Sequence, residues 1–131
     1  VISDSKIKSH ILKKSVFAVS KSGTVSLEIC NAKIPSIIIY KMGLINFLII
    51  KMLVNTKYAN IFNIAANEEV IPELLQSKCN PKTIFKTVSE LIEDPKKVES
   101  QLKKTQLILN NFKTQTAPSE KVAIILNKLI N

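Results

Sequence analysis

The stretch SVFAVSKSGTVSLEICNAKIPSIIIY, residues 15–40, decides the fold. Ser15 to Ser20 is a short apolar run containing Val16 and Val19, the composition of a strand. It ends at Ser22-Gly23-Thr24. Val25 to Lys33 then has helical spacing, with Val25, Ile29 and Ala32 on one side and Glu28 on another. Pro35 closes that unit. The β-branched run Ile37-Ile38-Ile39, followed by Tyr40, has the pattern of a fully buried strand. Strand, glycine turn, helix, strand is a βαβ unit, so the sequence predicts an α/β fold with a parallel sheet.

Outward from this unit, hydrophobicity peaks over Ile34 to Val54, which is about the length of a bilayer span. Pro35 and Gly43 interrupt it, and Lys41 and Lys51 lie inside it, so it reads as a strand followed by an apolar helix, Leu44 to Val54, and not as a membrane span. After Asn67 the pattern is helical. Glu69 to Gln76 reads as a short helix with Pro72 in its first turn. Pro81 opens a second helix, with Ile84, Phe85, Val88, Leu91 and Ile92 at spacings of three and four. Pro95 opens a third, with Val98, Leu102 and Leu109 on one face, and Glu120 to Ile130 is the last. Thr114 to Pro118 is the only linker-like stretch. Val1 to Lys14 alternates polar and apolar residues without the apolar block of a signal peptide. The expectation is one domain, residues 1–131, with a βαβ core over about 15–66 and helices over about 69–131.

The 131 residues suffice for one core, and 46% hydrophobic with 22% charged residues excludes a disordered tail. Two cysteines and one histidine supply neither a disulfide scaffold nor a His-based metal site. The net charge of +9 comes from 19 lysines with no arginine, beside 20 Ile and 11 Asn. Those residues share A- and T-rich codons, so charge alone points to no partner. Without Arg, and with only 5 Phe and 2 Tyr scattered along the chain, no nucleic-acid partner is expected.

Ser22-Gly23-Thr24 with Glu28 is the segment richest in chemistry. A strand end, a glycine and a helix start make an anion site, because the first N–H groups of a helix point outward and the dipole favours negative charge. The Ser22 and Thr24 hydroxyls would add donors. Glu28, one turn deeper on the Thr24 face, could accept from ribose hydroxyls. A nucleoside diphosphate fits that layout; an ordinary capped helix with a solvated Glu fits the same letters. Tyr40 and Lys41 stand at a strand end, where open parallel sheets hold ligands. Asn63, set between Phe62 and Ile64, and Glu73 with Gln76, three apart on one helix face, complete the candidates. Each has a plainer reading, as a turn residue for Asn63 and a solvated face for the pair.

Taken in order, these segments resemble the donor-binding portion of the lipid-A-disaccharide synthase family. The residues that carry the resemblance are Ser22-Gly23-Thr24-Val25-Ser26-Leu27-Glu28, Ala32-Lys33-Ile34-Pro35, Tyr40-Lys41, Leu53-Val54 with Lys57-Tyr58, Asn63-Ile64, and Val70-Ile71-Pro72-Glu73-Leu74-Leu75-Gln76. The family pattern is S-G-T-x-x-L-E, a small residue before a proline, Y-[KR], a Lys- and Leu-rich helix, L-P-N-[IL]-L-A-G and P-E-L-L-Q. The match runs from about Val16 to Ile92. Ile61-Phe62 departs from the usual Leu-Pro, and Asn67 stands in place of the usual glycine.

The resemblance implies a Rossmann-like C-terminal half of a glycosyltransferase with two Rossmann domains (the GT-B type), followed by C-terminal helices. It implies transfer from UDP-2,3-diacylglucosamine to 2,3-diacylglucosamine 1-phosphate without a metal or other cofactor, at the cytoplasmic face of the inner membrane. Ser22, Gly23, Thr24 and Glu28 would bind UDP; Tyr40, Lys41, Asn63, Glu73 and Gln76 would line the cleft near the donor sugar. The acceptor domain and its catalytic carboxylate are expected to be absent here, so no catalytic residue is assigned. The chain alone is expected to be inactive, with a separate N-terminal piece as a conceivable partner. The apolar helix Leu44 to Val54, flanked by Lys41, Lys51 and Lys57, would touch the membrane or cover the sheet. The alternatives are a non-catalytic gene remnant and a basic membrane-surface module.

Overall fold

The computed structural model describes residues 4–43, 57–112 and 122–127. The predicted βαβ unit is present. β1 (Ala18–Ser20) leads through Lys21–Gly23 into α2 (Thr24–Asn31), and β2 (Ser36–Tyr40) runs parallel to β1, with Val19 beside Ile37. α1 (Ser5–Lys14) precedes them, started by Asp4, whose side chain accepts from the amides of Lys6 and Ile7. The alternating letters of that segment do not announce a helix.

The sheet has a third strand. β3 (Glu73–Leu75) pairs in parallel with β2, giving the order β1-β2-β3. The helix expected over Glu69 to Gln76 is therefore corrected. Residues 69–72 approach the sheet without regular structure, 73–75 are strand, and Gln76–Lys78 form one 3-10 turn. Tertiary pairing overrides the helix propensity of Glu and Leu here. The sheet thus extends beyond the expected 15–66 core, and the C-terminal helices begin later than 69. α3 (Ile61–Ala66) fills the link to β3, and α4 (Pro81–Ile92) and α5 (Pro95–Phe112) follow with their prolines at the first positions. Residues 122–127 are helical, inside the expected last helix. The Leu44 to Val54 helix and the Thr114 to Pro118 linker fall outside the described residues.

Both faces of the sheet are covered, as its continuous apolar strands require. On one face Ile38 packs with Cys30, Phe62, Val70 and Ile71, supplied by α2, α3 and the approach to β3, and with Ile108 and Leu109 of α5. On the other, Ile37 and Leu74 pack on Leu91, Ile84 and Val88 of α4. Phe85 and Ile92, expected on the same stripe of α4, are exposed instead. The core stripe is 84, 88, 91, and these two lie outside it. α5 is locked to the sheet by Gln101, whose carboxamide accepts from Ser36 N at 2.8 Å and donates to Ser36 O at 3.0 Å. Among the described residues no helix is long and apolar enough to cross a membrane.

Asn67 explains one departure from the family pattern. It ends α3 with φ 52° and ψ 29°, a left-handed conformation. Glycine enters that region freely, and Asn is among the side chains that best tolerate it.

Candidate functional site

Ser20, Tyr40 and Leu75 end the three strands on one edge of the parallel sheet, the edge where such sheets hold ligands. α2 starts there. Its N-cap, Gly23, has φ 147° and ψ −165°, a region closed to most side chains, and nothing lies within 4 Å of where a Cβ would sit. The backbone at the helix tip is open to an incoming group. Ser26 folds back on Gly23 O through its amide at 3.1 Å and its hydroxyl at 2.6 Å. The amides of Thr24 and Val25 precede the first intrahelical partners and aim outward, as helix geometry dictates.

The flanking side chains divide. Thr24 is exposed. Ser22 is half-buried, and its hydroxyl donates to Ala59 O at 2.8 Å. Glu28 lies exposed on α2, ion-paired to Lys8 of α1 at 2.5 Å. It borders a groove made by Leu27, Asn31, Ile61, Leu109 and Phe112. A solvent-exposed pair contributes about 1 kcal/mol at most, so Lys8 does not commit that carboxylate. Another groove, lined by Lys33, Ile92, Val98, Glu99, Leu102 and Lys103 among others, lies at the opposite end of α2 from Gly23, away from the carboxyl edge of the sheet.

Asn63 and Glu73 are placed differently from the expectation. Asn63 is fully buried. Its Nδ2 donates to Ile71 O and to Glu73 Oε1, both at 2.7 Å, and its Oδ1 accepts from the amides of Val70 at 2.9 Å and Ile71 at 2.8 Å. Two donors and two acceptor positions are all that a carboxamide has. Glu73 is 8% exposed; Oε1 accepts also from Asn60 N at 2.9 Å, and Oε2 from Ala59 N at 2.8 Å. Neither side chain lines an open cleft as placed. Together they fasten the start of α3 to the start of β3. The register explains their meeting: Ser20, Ile38 and Glu73 form one row across the sheet, on the face that α2 and α3 cover.

Gln76 follows β3 with φ 52°, and its Oε1 accepts from Met42 N at 3.1 Å, tying the ends of β2 and β3 together. Tyr40 is half-buried, with Lys21 Nζ 4.8 Å from its ring centre, and Lys41 is exposed. Motif spacing does not single out Lys21, Ser20 or Asn60. Yet Ser20 Oγ, Asn60 Nδ2 and Gln76 Nε2 are buried without a hydrogen-bond partner. These three residues stand at or beside the same edge, a concentration of unsatisfied polar atoms of the kind that a ligand's polar groups or water would complete. The available signal for Asn60 was its position before an apolar run, the usual place of a helix N-cap. Among the described residues no group of three His, Cys, Asp or Glu gathers as a metal site would need.

The sequence profile of the lipid-A-disaccharide synthetase family matches residues 1–126. The chain belongs to the lipid-A-disaccharide synthase family. It is 36% identical over 121 residues to the lipid-A-disaccharide synthase of Rickettsia bellii (strain OSU 85-389), covering 91% of this chain and 31% of that protein. The synthase of Rickettsia canadensis (strain McKiel) is 36% identical over 130 residues, 98% of this chain and 33% of that protein. That of Rickettsia conorii (strain ATCC VR-613 / Malish 7) is 41% identical over 95 residues, 72% and 21%. The chain thus spans about a third of the length of the synthases it matches. The family is a glycosyltransferase family of lipid A biosynthesis, and the mixed α/β fold with its small parallel sheet is compatible with a Rossmann-like portion of such an enzyme.

Proposed function

We propose that this chain supplies the donor-binding portion of a lipid A glycosyltransferase. The reaction is transfer of 2,3-diacylglucosamine from UDP to 2,3-diacylglucosamine 1-phosphate, giving lipid A disaccharide 1-phosphate and UDP. The observation that carries this reading is the open N-terminus of α2 at Gly23, on the carboxyl edge of the sheet. The diphosphate sits on the Thr24 and Val25 amides, where the helix dipole meets the charge that grows on UDP as it leaves. The reading assigns no cofactor and no metal ion to the site. Glu28 accepts from the ribose, displacing Lys8. Tyr40, Lys41 and Gln76 face the donor sugar from the ends of β2 and β3. The architecture is the two-Rossmann type, in which the rest of the relatives' length closes the cleft and brings the acceptor.

Titration calorimetry tests the site. UDP binds, and Glu28→Ala weakens it about tenfold, one charge-assisted hydrogen bond. Glu90→Ala, on the solvent side of α4 where Glu90 pairs with Lys86 at 3.7 Å, leaves it unchanged. Equal affinity in both variants removes Glu28 from the site. The reading has the protein act on lipid substrates at the cytoplasmic face of the inner membrane, to whose anionic lipid its lysine excess would be attracted. Pelleting with anionic vesicles falls as salt rises; pelleting indifferent to salt contradicts the electrostatic part.

A further inference from the structure

Glu73 is buried, yet one peptide group connects it to the proposed anion site at Gly23. The amide of Asn60 donates to Glu73 Oε1 at 2.9 Å. The carbonyl of that same peptide, Ala59 O, accepts the Ser22 hydroxyl at 2.8 Å. The peptide between Ala59 and Asn60 is therefore gripped at both ends, by Glu73 below and by the residue before Gly23 above. The preceding peptide is held too, through Ala59 N to Glu73 Oε2 at 2.8 Å. Asn63 fixes the carboxylate through Nδ2 at 2.7 Å. A peptide whose N–H binds a carboxylate has a more polarised carbonyl, so its bond from Ser22 is strengthened.

We propose that Glu73 is a positioning residue for the Ser22–Thr24 anion site, acting through the Ala59–Asn60 peptide and not by touching the donor sugar. This rests on the donor-site reading for its functional consequence, but the relay itself is a property of the unliganded chain. Ser22 serves as the contact that fixes the approach to Gly23, and therefore the direction of the Thr24 and Val25 amides. Removing the charge of Glu73 loosens a loop that Glu73 does not contact.

The test uses the full chain, labelled with nitrogen-15, as wild type, Glu73→Gln, Ser22→Ala and the double variant. Without ligand, Glu73→Gln moves the amide resonances of Gly23, Thr24 and Val25, while those of Val88 and Leu91 on the opposite face of the sheet stay in place. Titrated with UDP, either single variant loses affinity about tenfold, and the double variant loses no more than either alone, because both cut one relay. A Glu73→Gln spectrum altered only around residues 59–73, or losses that multiply in the double variant, overturns the proposal. If Glu73→Gln does not fold, Ser22→Ala still decides: it must shift the Asn60 amide, and an unmoved Asn60 overturns the relay. Failure of the wild type to bind UDP contradicts the donor-site reading, while the ligand-free spectra report on the relay independently.

Discussion

Asn63 spends both amide protons and both acceptor positions inside the chain, on Val70, Ile71 and Glu73. Its polarity among Phe62 and Ile64 was visible in the sequence. Its role was not, because the partners lie seven to ten residues later, across a turn that periodicity does not describe. Asn63→Ala strands two buried amides and a carbonyl, at about 1–3 kcal/mol for a buried group left unpaired. It should lower stability to denaturant by about 3 kcal/mol or more; a loss below about 1 kcal/mol contradicts the buried network. Cys30 gives a second check at this scale. Burial pushes its thiol from 9.0 up to about 12. Above pH 9 the unfolded chain therefore releases a proton that the folded chain keeps. Stability falls with rising pH across that window, by about 1.4 kcal/mol per unit from this group. Cys30→Ala should remove that part of the slope, and an unchanged slope contradicts it. Half-buried Cys79 should be alkylated well before Cys30 in the folded protein.

β1, α2 and β2 were legible because each carries its own signal: an apolar strand run, helical spacing after Gly23, and three isoleucines closed off by Tyr40. β3 was not. Three residues cannot show a period of two, and Glu-Leu-Leu favours a helix until Ile39 and Tyr40 offer a ladder. The better clue was Pro72, which a helix interior rejects, after the apolar pair Val70-Ile71. The turn between β1 and α2 was legible around Gly23, but the bond from Ser22 to residue 59 was not, since no local pattern shows it. Gly23 belongs to the same element. Its φ of 147° and ψ of −165° suit glycine alone, and space above it is open. Gly23→Ala should therefore cost about 1–3 kcal/mol of stability by strain and not by collision. A chemical denaturation curve equal to wild type would show that the loop relaxes freely.

For the molecule as a whole, the carboxyl edge of the sheet gathers the open tip of α2, Tyr40, Lys41 and Gln76, and the buried polar atoms of Ser20 and Asn60. The polar knot of Asn63 and Glu73 holds that edge in shape. The basic surface is spread more widely, for example along α1 at Lys6 and Lys13. The proposed diphosphate site at the sheet edge therefore has one rival, binding on diffuse charge. Titrating the nitrogen-15-labelled chain with UDP at moderate salt separates them. The account predicts saturable shifts concentrated at Gly23, Thr24 and Val25, extending to Glu28 and Gln76. No shifts, or shifts confined to the lysines of α1 and abolished by salt, would contradict it.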